Sequence, residues 1–113
     1  MNALNHEVTL RDSRIPSSAR DYLEEKLQRL DRLHQHAQGV RAVLSLEREI
    51  RRVELIVVIE HHSTLVVEER DPDLLAAIDR AVDRMDRLLA KEKDKRIQRS
   101  RRGRGAPEAP PEV

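Results

Sequence analysis

The hydrophobic residues of the chain change their spacing several times, and each change predicts a different element. Early in the chain, leucines recur at spacings of four, three and three residues, which is the period of one helix face. Pro16 and the serines after it suit the first turn of this helix, and the next glycine, Gly39, sets a limit on its end. The helix is therefore predicted to end between His34 and Gly39. Its stripe is Leu23, Leu27, Leu30 and Leu33.

Outside this helix, hydrophobic residues alternate with polar ones, which is the period of a strand. The alternating segments are residues 8–10 before the helix and residues 40–46, 53–59 and 64–69 after it. The last three are connected by a charged segment at 47–52 and by His61-His62-Ser63. Since a parallel crossover needs a dozen or more residues, we expect these three strands to pair as antiparallel neighbours.

A second helix is predicted from residue 71 onward, with Asp71 as its cap and Pro72 in its first turn. On a wheel of 100° per residue, its core-facing stripe is Leu75, Ile78, Val82, Met85 and Leu89. The order strand, helix, three strands, helix predicts an α+β fold. In that fold a four-stranded sheet has two helices packed on one face.

The remaining faces of the second helix are charged, and the charges are partly sorted by sign. Asp79, Asp83 and Asp86 share one flank, which we call the acidic row. Basic residues occupy an arc of about 80° on another flank and extend for about 22 Å at 1.5 Å per residue. This basic ridge consists of Arg80, Arg84, Arg87, Lys91 and Lys95. Its spacing suits a row of phosphates, and a solvated helix face is the alternative interpretation.

The net charge of +1 conceals an uneven distribution along the chain. Residues 1–90 hold 14 basic and 17 acidic side chains, whereas residues 91–104 hold eight basic and two acidic ones. This asymmetry indicates a polyanionic partner at one end of the molecule, or else a solubilising tail. Tyr22 is the single aromatic residue, which argues against a base-stacking platform.

Catalytic and cofactor chemistry finds no support in the sequence. The chain has no cysteine, which excludes disulfides, thiolate metal sites and cysteine nucleophiles. His34 and His36 stand two positions apart and would point to different sides of a helix, so we expect no metal site. Phosphate-loop and nucleophile-elbow motifs are absent, as is any hydrophobic run of membrane-spanning length. We therefore expect a cytoplasmic protein that is not an enzyme and has no cofactor, small-molecule substrate or membrane partner.

Residues 71–95 have the sequence DPDLLAAIDRAVDRMDRLLAKEKDK. This segment resembles the last helix of the ribosome hibernation-promoting factors, a family that includes the ribosome-associated inhibitor, also called ribosome subunit interface protein. The motifs that carry the similarity are Ala76-Ala77-Ile78-Asp79, Asp83-Arg84-Met85 and Lys91-Glu92-Lys93-Asp94-Lys95. Weaker similarity covers the N-terminal half, and residues 5–96 in all are consistent with the family. The resemblance implies a β-α-β-β-β-α fold similar to double-stranded RNA-binding domains. It also implies binding to ribosomal RNA of the small ribosomal subunit, between head and body, where messenger and transfer RNA sit.

The resemblance implies a ribosome-binding domain at residues 1–96, and the composition after it predicts a flexible tail at 97–113, first basic and then proline-rich. The dimerisation domain of the long family members is missing here, so self-association is not implied. The family's basic positions fall on Arg84, Arg87, Lys91, Lys93, Lys95 and Arg96, and helical spacing adds Arg80. The tail positions with the same expected role are Arg99, Arg101, Arg102 and Arg104.

Two functions follow from these patterns. The first, which the resemblance implies, is a ribosome-binding factor that occupies the messenger and transfer RNA channel of the small subunit and silences or preserves idle ribosomes. The second is a protein-interaction regulator, such as a modulator of a transcription factor, that acts through the acidic body at residues 1–90. A protein partner that survives nuclease treatment would favour the second.

Overall fold

The computed structural model describes residues 5–59 and 63–105, and it contains one sheet covered on one face by two helices. Its elements are β1 (Asn5–Leu10), α1 (Ser17–Leu33), β2 (Ala37–Glu47), β3 (Ile50–Ile59), β4 (Thr64–Asp71) and α2 (Leu74–Gly105). This order confirms the predicted α+β fold. The predicted connection at His61-His62 and the proline-rich end at residues 106–113 lie outside the described residues.

The four strands lie in the sheet in chain order, β1-β2-β3-β4. β1 pairs in parallel with β2, because α1 carries the chain back along the sheet. β2–β3 and β3–β4 pair antiparallel, as predicted. Only Arg48 and Glu49 separate β2 from β3, so both strands extend into the charged segment that was predicted as a turn. Arg48 has φ 59°, the one positive φ of a non-glycine residue in the described part of the chain.

The core lies between the sheet and the helices, where alternate residues of each strand point. α1 contributes Leu23 and Leu27, which are fully buried, whereas Leu33 at the end of the predicted stripe is 56% exposed. The central strand β3 contributes Val53, Leu55, Val57 and Ile59. Because burying each such side chain is worth roughly 1.5–3 kcal/mol, the helical stripe and the strand alternation supply the main stabilisation.

The ends of α1 differ from the prediction. Pro16 is the N-cap residue, and no side chain caps the helix. The helix ends at Leu33, where the His34 N–H donates to the Leu30 carbonyl over 2.8 Å. Gly39 does not terminate the helix, because it lies within β2 at an irregularity of the β2–β3 register.

α2 also begins differently from the prediction, at Leu74 rather than at residue 71. Asp73 is the capping residue, since its Oδ1 accepts the Leu75 N–H over 3.1 Å. Asp71 Oδ1 instead accepts the Asp73 N–H over 2.8 Å and fixes the turn before the helix. Pro72 therefore precedes α2 and does not belong to its first turn.

The core-facing stripe of α2 is rotated relative to the predicted one. The residues buried as predicted are Ile78, Met85 and Leu89. Leu75 is 45% exposed and Val82 is half-buried, whereas Ala77 and Ala81 are fully buried. Small side chains let the helix axis approach the sheet closely, so the alanines rather than the outer leucine mark the contact line.

α2 continues to Gly105, so the predicted boundary between domain and tail at residue 96 lies within a helix. Leu89 is the last buried side chain of α2 in the described part, and none of residues 90–95 is buried. The helix therefore extends beyond the body, and the principal extents are 56 × 32 × 19 Å. None of the described helices is long and apolar enough to cross a membrane.

Candidate nucleic-acid interface

α2 packs on the sheet with its two charged flanks turned toward different neighbours. The acidic row faces α1, and the first residues of the basic ridge face β4. Each flank thus carries the charge opposite to that of the groups it meets. Packing therefore explains part of the charge separation seen in the sequence, and it determines which cations remain free for a partner.

The acidic row joins α2 to α1. Tyr22 Oη donates to Asp79 Oδ1 over 2.6 Å, and Lys26 Nζ lies 3.2 Å from the same oxygen. The hydrogen bond from Tyr22, followed by Lys26, holds the pKa of Asp79 below its ordinary value, and the same bond raises the pKa of Tyr22. At the end of α1, the buried His34 places Nε2 2.6 Å from Asp86 Oδ1. These carboxylates are therefore engaged within the protein.

Arg80, the first residue of the basic ridge, is bound to β4 and to the turn before α2. Its Nε donates to Glu69 Oε1 over 3.1 Å, and its Nη2 donates to the Arg70 carbonyl over 3.0 Å. Its Nη1 lies 3.0 Å from Asp71 Oδ2. The bonds to Glu69 and then Asp71 raise the pKa of this guanidinium. All three nitrogens have internal partners, so Arg80 is the most fully engaged arginine of the ridge among the described residues.

Arg84 is held by the same carboxylate but is only half engaged. Its Nη1 lies 2.6 Å from Glu69 Oε2 and 3.2 Å from the Glu68 carbonyl. Its Nε and Nη2 have no hydrogen-bond partner among the described residues. The hydrogen bonds from Arg84 and then Arg80 hold the pKa of Glu69 below its ordinary value. A guanidinium fixed on one edge and open on the other suits a charge-assisted bond to a phosphate oxygen.

The rest of the ridge has fewer internal partners. Arg87 pairs with Asp83 one turn away over 2.7 Å, and because these side chains are 67% and 63% exposed, the pair contributes little. Lys91 and Lys95 are exposed and form no ion pair with any described residue. A shallow depression of about 510 Å³ is lined by Arg84, Arg87, Leu88 and Lys91. The free cations are therefore those toward the C-terminal end of the ridge.

The residues predicted from the family resemblance do not all share one face. Lys93 follows Lys91 by two positions, which is about 200° around a helix, so it lies on the side of α2 away from the ridge. The side chains of residues 96–105 lie outside the described part, although their backbone continues α2. They include the predicted contacts Arg96, Arg99, Arg101, Arg102 and Arg104. The structure brings together Arg84, Arg87, Lys91 and Lys95.

Glu69 is a residue of this surface that the sequence did not indicate. It lies opposite Val53 in β3, at an inward position of β4 where alternation predicts a hydrophobic residue, and its side chain is 16% exposed. One pattern in the sequence could have indicated Glu69. It is a carboxylate at an inward strand position that is followed by a helix with arginines on one flank. The pairing itself depends on how α2 lies across β4, which the sequence does not give.

The exposed groups of this surface are cations, and no metal-ligand cluster lies among the described residues. Within residues 5–59 and 63–105, no three His, Cys, Asp or Glu side chains are grouped as ligands of a metal ion would be. His34 and His36, which were predicted to point to different sides, are both buried, and their rings meet edge to face with centroids 6.0 Å apart. The available chemistry is charge and hydrogen-bond donation toward an extended anion.

Comparison with known proteins identifies relatives of the whole domain. The sequence model of the family described as Sigma 54 modulation protein / S30EA ribosomal protein matches residues 6–97. The ribosome hibernation promoting factor of Azotobacter vinelandii is 30% identical over 106 residues, which are 94% of both chains. The ribosome hibernation promotion factor of Deinococcus radiodurans is 32% identical over 108 residues, covering 90% of this chain but 56% of the longer relative.

Solved structures show the same fold. The N-terminal domain of protein Y from Thermus thermophilus is 39% identical, with a TM-score of 0.68 over 79% of this chain and 98% of that domain. A ribosomal subunit interface protein from Coxiella burnetii is 18% identical and superposes with a TM-score of 0.73 over 80% of this chain and 99% of its own. At that identity, the second likeness concerns the fold alone.

Proposed function

This chain belongs to the Sigma 54 modulation protein / S30EA ribosomal protein family, and from that membership we propose that it binds the small ribosomal subunit and silences or preserves idle ribosomes. The factor would act in the cytoplasm by steric occupation of the messenger and transfer RNA channel, without catalysis and without a cofactor. The names of the relatives from Azotobacter and Deinococcus support the hibernation role.

One observation carries the proposal at the level of residues. Arg84, Arg87, Lys91 and Lys95 form a row along one side of α2, and internal ion pairing decreases along that row. The row is part of a helix anchored in the core up to Leu89, so its charges are presented at fixed spacing. Such an array neutralises phosphates and releases counterions without reading bases, which agrees with the absence of stacking aromatics. In the proposal, Lys93 and the arginines from Arg96 to Arg104 extend the contact.

The first experiment reverses the row. A variant with Arg84, Arg87, Lys91 and Lys95 replaced by Glu is expected to bind purified small subunits at least about 100-fold more weakly, with a much shallower salt dependence. Filter binding across a salt series measures both quantities, and circular dichroism verifies folding. Wild-type affinity in this variant would show that α2 is not the contact.

A matched pair of single substitutions tests the division between structural and free cations. Lys91→Gln is expected to reduce the slope of log affinity against log salt by about one. Arg80→Gln removes the same charge from the same helix flank, but its nitrogens are bound to Glu69, Asp71 and Arg70, so binding should change less than about twofold while the melting temperature falls. Equal losses of binding in the two variants would show that Arg80 also reaches the RNA.

Channel occupation needs a competition experiment. Small subunits loaded with the protein are expected to lose binding of a short messenger RNA and initiator transfer RNA in proportion to occupancy. A bound factor that leaves both RNAs unaffected would place it elsewhere on the subunit.

The alternative function through the acidic body is weakened by internal pairing. Carboxylates on β4 and α2 are engaged by arginine, lysine, tyrosine or histidine of the same chain, and these carboxylates are Glu68, Glu69, Asp71, Asp79, Asp83 and Asp86. An acidic docking surface needs free carboxylates. We therefore favour the basic surface as the contact.

A further inference from the structure

A second group of arginines lies at the β2–β3 turn, away from the basic ridge. Arg48 forms the tip of the turn, Arg51 follows in β3, and Arg11 and Arg14 come from the loop between β1 and α1. The side chain of Arg14 is 72% exposed, and Arg11 and Arg48 are exposed as well. We call these four residues the hairpin cluster.

Contacts in the structure bring two members of the hairpin cluster, Arg14 and Arg51, together. Arg14 and Arg51 line the same depression of about 340 Å³. Arg51 Nη1 donates to the Glu49 carbonyl over 3.2 Å, and the Glu49 carboxylate is near enough to Arg14 to raise the pKa of that guanidinium, after the larger effect of Asp12. The backbone N–H of Arg11 donates to the Leu44 carbonyl of β2 over 2.9 Å. The guanidinium groups of Arg14 and Arg51 thus lie at one depression, with Arg14 bound to the Asp12 carboxylate and Arg51 to the Glu49 carbonyl.

Arg14 is oriented before any ligand arrives. Its Nε donates to Asp12 Oδ1 over 3.0 Å and its Nη2 to Asp12 Oδ2 over 2.9 Å, in a bidentate arrangement. These bonds lower the pKa of Asp12 to about 2, so the pair stays charged at neutral pH. The guanidinium is held at a fixed place while most of its surface remains open to solvent.

Arg48 occupies a position where glycine would cost less. Its φ of 59° lies in the left-handed region, where the β-carbon of an ordinary residue clashes with the backbone. Arg48 makes no ion pair with another described residue that would offset this strain. A strained, exposed arginine at a turn tip therefore points to a role outside the folded domain.

The hairpin cluster and the ridge lie on different sides of α2. Leu75, at the start of α2, lines the same depression as Arg14 and Arg51. Around the helix axis, Leu75 lies about 160° from Lys91, sixteen residues later, and about 24 Å along the axis. One straight run of phosphates along the ridge would therefore not reach the cluster.

We propose that the hairpin cluster is a second phosphate-binding surface, through which the protein holds a segment of RNA distinct from the one at the ridge. This inference rests on the proposed function, since it takes ribosomal RNA as the polyanion. With two cationic surfaces on one rigid domain, binding of the first segment raises the effective concentration for the second. The protein then holds two RNA segments at fixed positions relative to each other, instead of contacting only one.

The turn tip allows a test in which stability and binding move in opposite directions. Arg48→Gly removes both the strain and the charge, so the melting temperature is expected to rise by about 4 °C while affinity for purified small subunits falls several-fold. Arg48→Lys keeps the charge and the strain and is expected to match wild type in both measurements to within about twofold in affinity. The proposal would be overturned if the Arg48→Gly variant and the double variant Arg48→Gly/Arg51→Gln both bound small subunits as tightly as wild type.

A second experiment locates the RNA directly. Because the chain has no cysteine, Glu49→Cys beside the turn tip, Ala90→Cys next to Lys91 in the sequence of α2 and Val66→Cys on the open sheet face each give one attachment point for a hydroxyl-radical probe. On small subunits, the probes at 49 and 90 are expected to cleave different ribosomal RNA segments, and the probe at 66 serves as background. Cleavage from 90 with only background from 49 would refute the second surface and leave the proposed function intact. Background from both would refute the proposed function itself.

Discussion

At the scale of single residues, Glu69 decides how the first part of the basic ridge behaves. Its two carboxylate oxygens take Arg80 and Arg84 separately, at 3.1 and 2.6 Å. Arg80 completes its bonding with Asp71 and a carbonyl, whereas Arg84 keeps two nitrogens free. One inward carboxylate therefore gives two equivalent positions of a helical stripe different bonding, because Arg80 is fully engaged and Arg84 keeps two nitrogens without a partner among the described residues.

The Glu69 carboxylate predicts a specific dependence of stability on pH. Its pKa in the folded protein is lowered, chiefly by Arg84, so its contribution is fully present above the unfolded value near 4.5. That contribution is lost as the pH falls through the lower folded value. Urea unfolding midpoints should therefore drop more between pH 5 and pH 3 in wild type than in Glu69→Gln. Parallel curves for the two proteins would show that the pair adds nothing to stability.

At the scale of elements, the packing of α2 against the sheet depends on the side chains of its buried face. Ala77 and Ala81 are fully buried beside Ile78 and Met85, so small and large side chains share the buried face of the helix. Leu75, which a hydrophobic wheel includes, lies at the edge and stays 45% exposed. Close packing, rather than the number of leucines, anchors the ridge.

Two truncations on α2 separate these roles. Ile78→Ala removes a fully buried side chain and is expected to cost about 2–4 kcal/mol of unfolding free energy. Leu75→Ala, at a position 45% exposed, should cost less than about 1 kcal/mol. Urea denaturation at neutral pH measures both. Similar costs would mean that Leu75 is part of the core and that the stripe is not rotated.

The sequence predicted what periodicity controls and missed what depends on contact between elements. The stripe through Leu23 and Leu27 predicted the first helix. The short connections between strands predicted their antiparallel pairing. Spacing alone also found the ridge, since it depends only on the pitch of one helix. The bonding of Arg80 to Glu69 was missed because it depends on how α2 crosses β4. Gly39 was misread because its neighbours pair with β3, a contact distant in sequence.

At the scale of the whole molecule, α2 has two parts with different support. Up to Leu89 it is buried against the sheet, and from residue 90 to Gly105 it extends from the body. Among residues 90–95, whose side chains are described, none is buried, and a helix segment with little tertiary packing and dense like charges is marginal in water. Its order should therefore depend on a polyanion that neutralises those charges.

Hydrogen exchange tests this division in the free and bound protein. Amides of residues 77–89 are expected to exchange only through global unfolding, whereas those of residues 93–105 should exchange far faster in the free protein. On small subunits, the second group should gain protection. Equal protection along the whole of α2 in the free chain would show that the extension is stable without RNA.

The contact between Tyr22 and Asp79 gives this protein a built-in optical reporter. Tyr22 is the chain's only aromatic residue, with no tryptophan or phenylalanine beside it, so it is the sole intrinsic fluorophore. Its hydroxyl is bonded to a carboxylate 57 positions away, on the other helix, over 2.6 Å. A phenol bonded to a carboxylate emits weakly, because proton transfer competes with emission from the excited state. Brightening of this emission therefore reports the separation of α1 from α2, without any label.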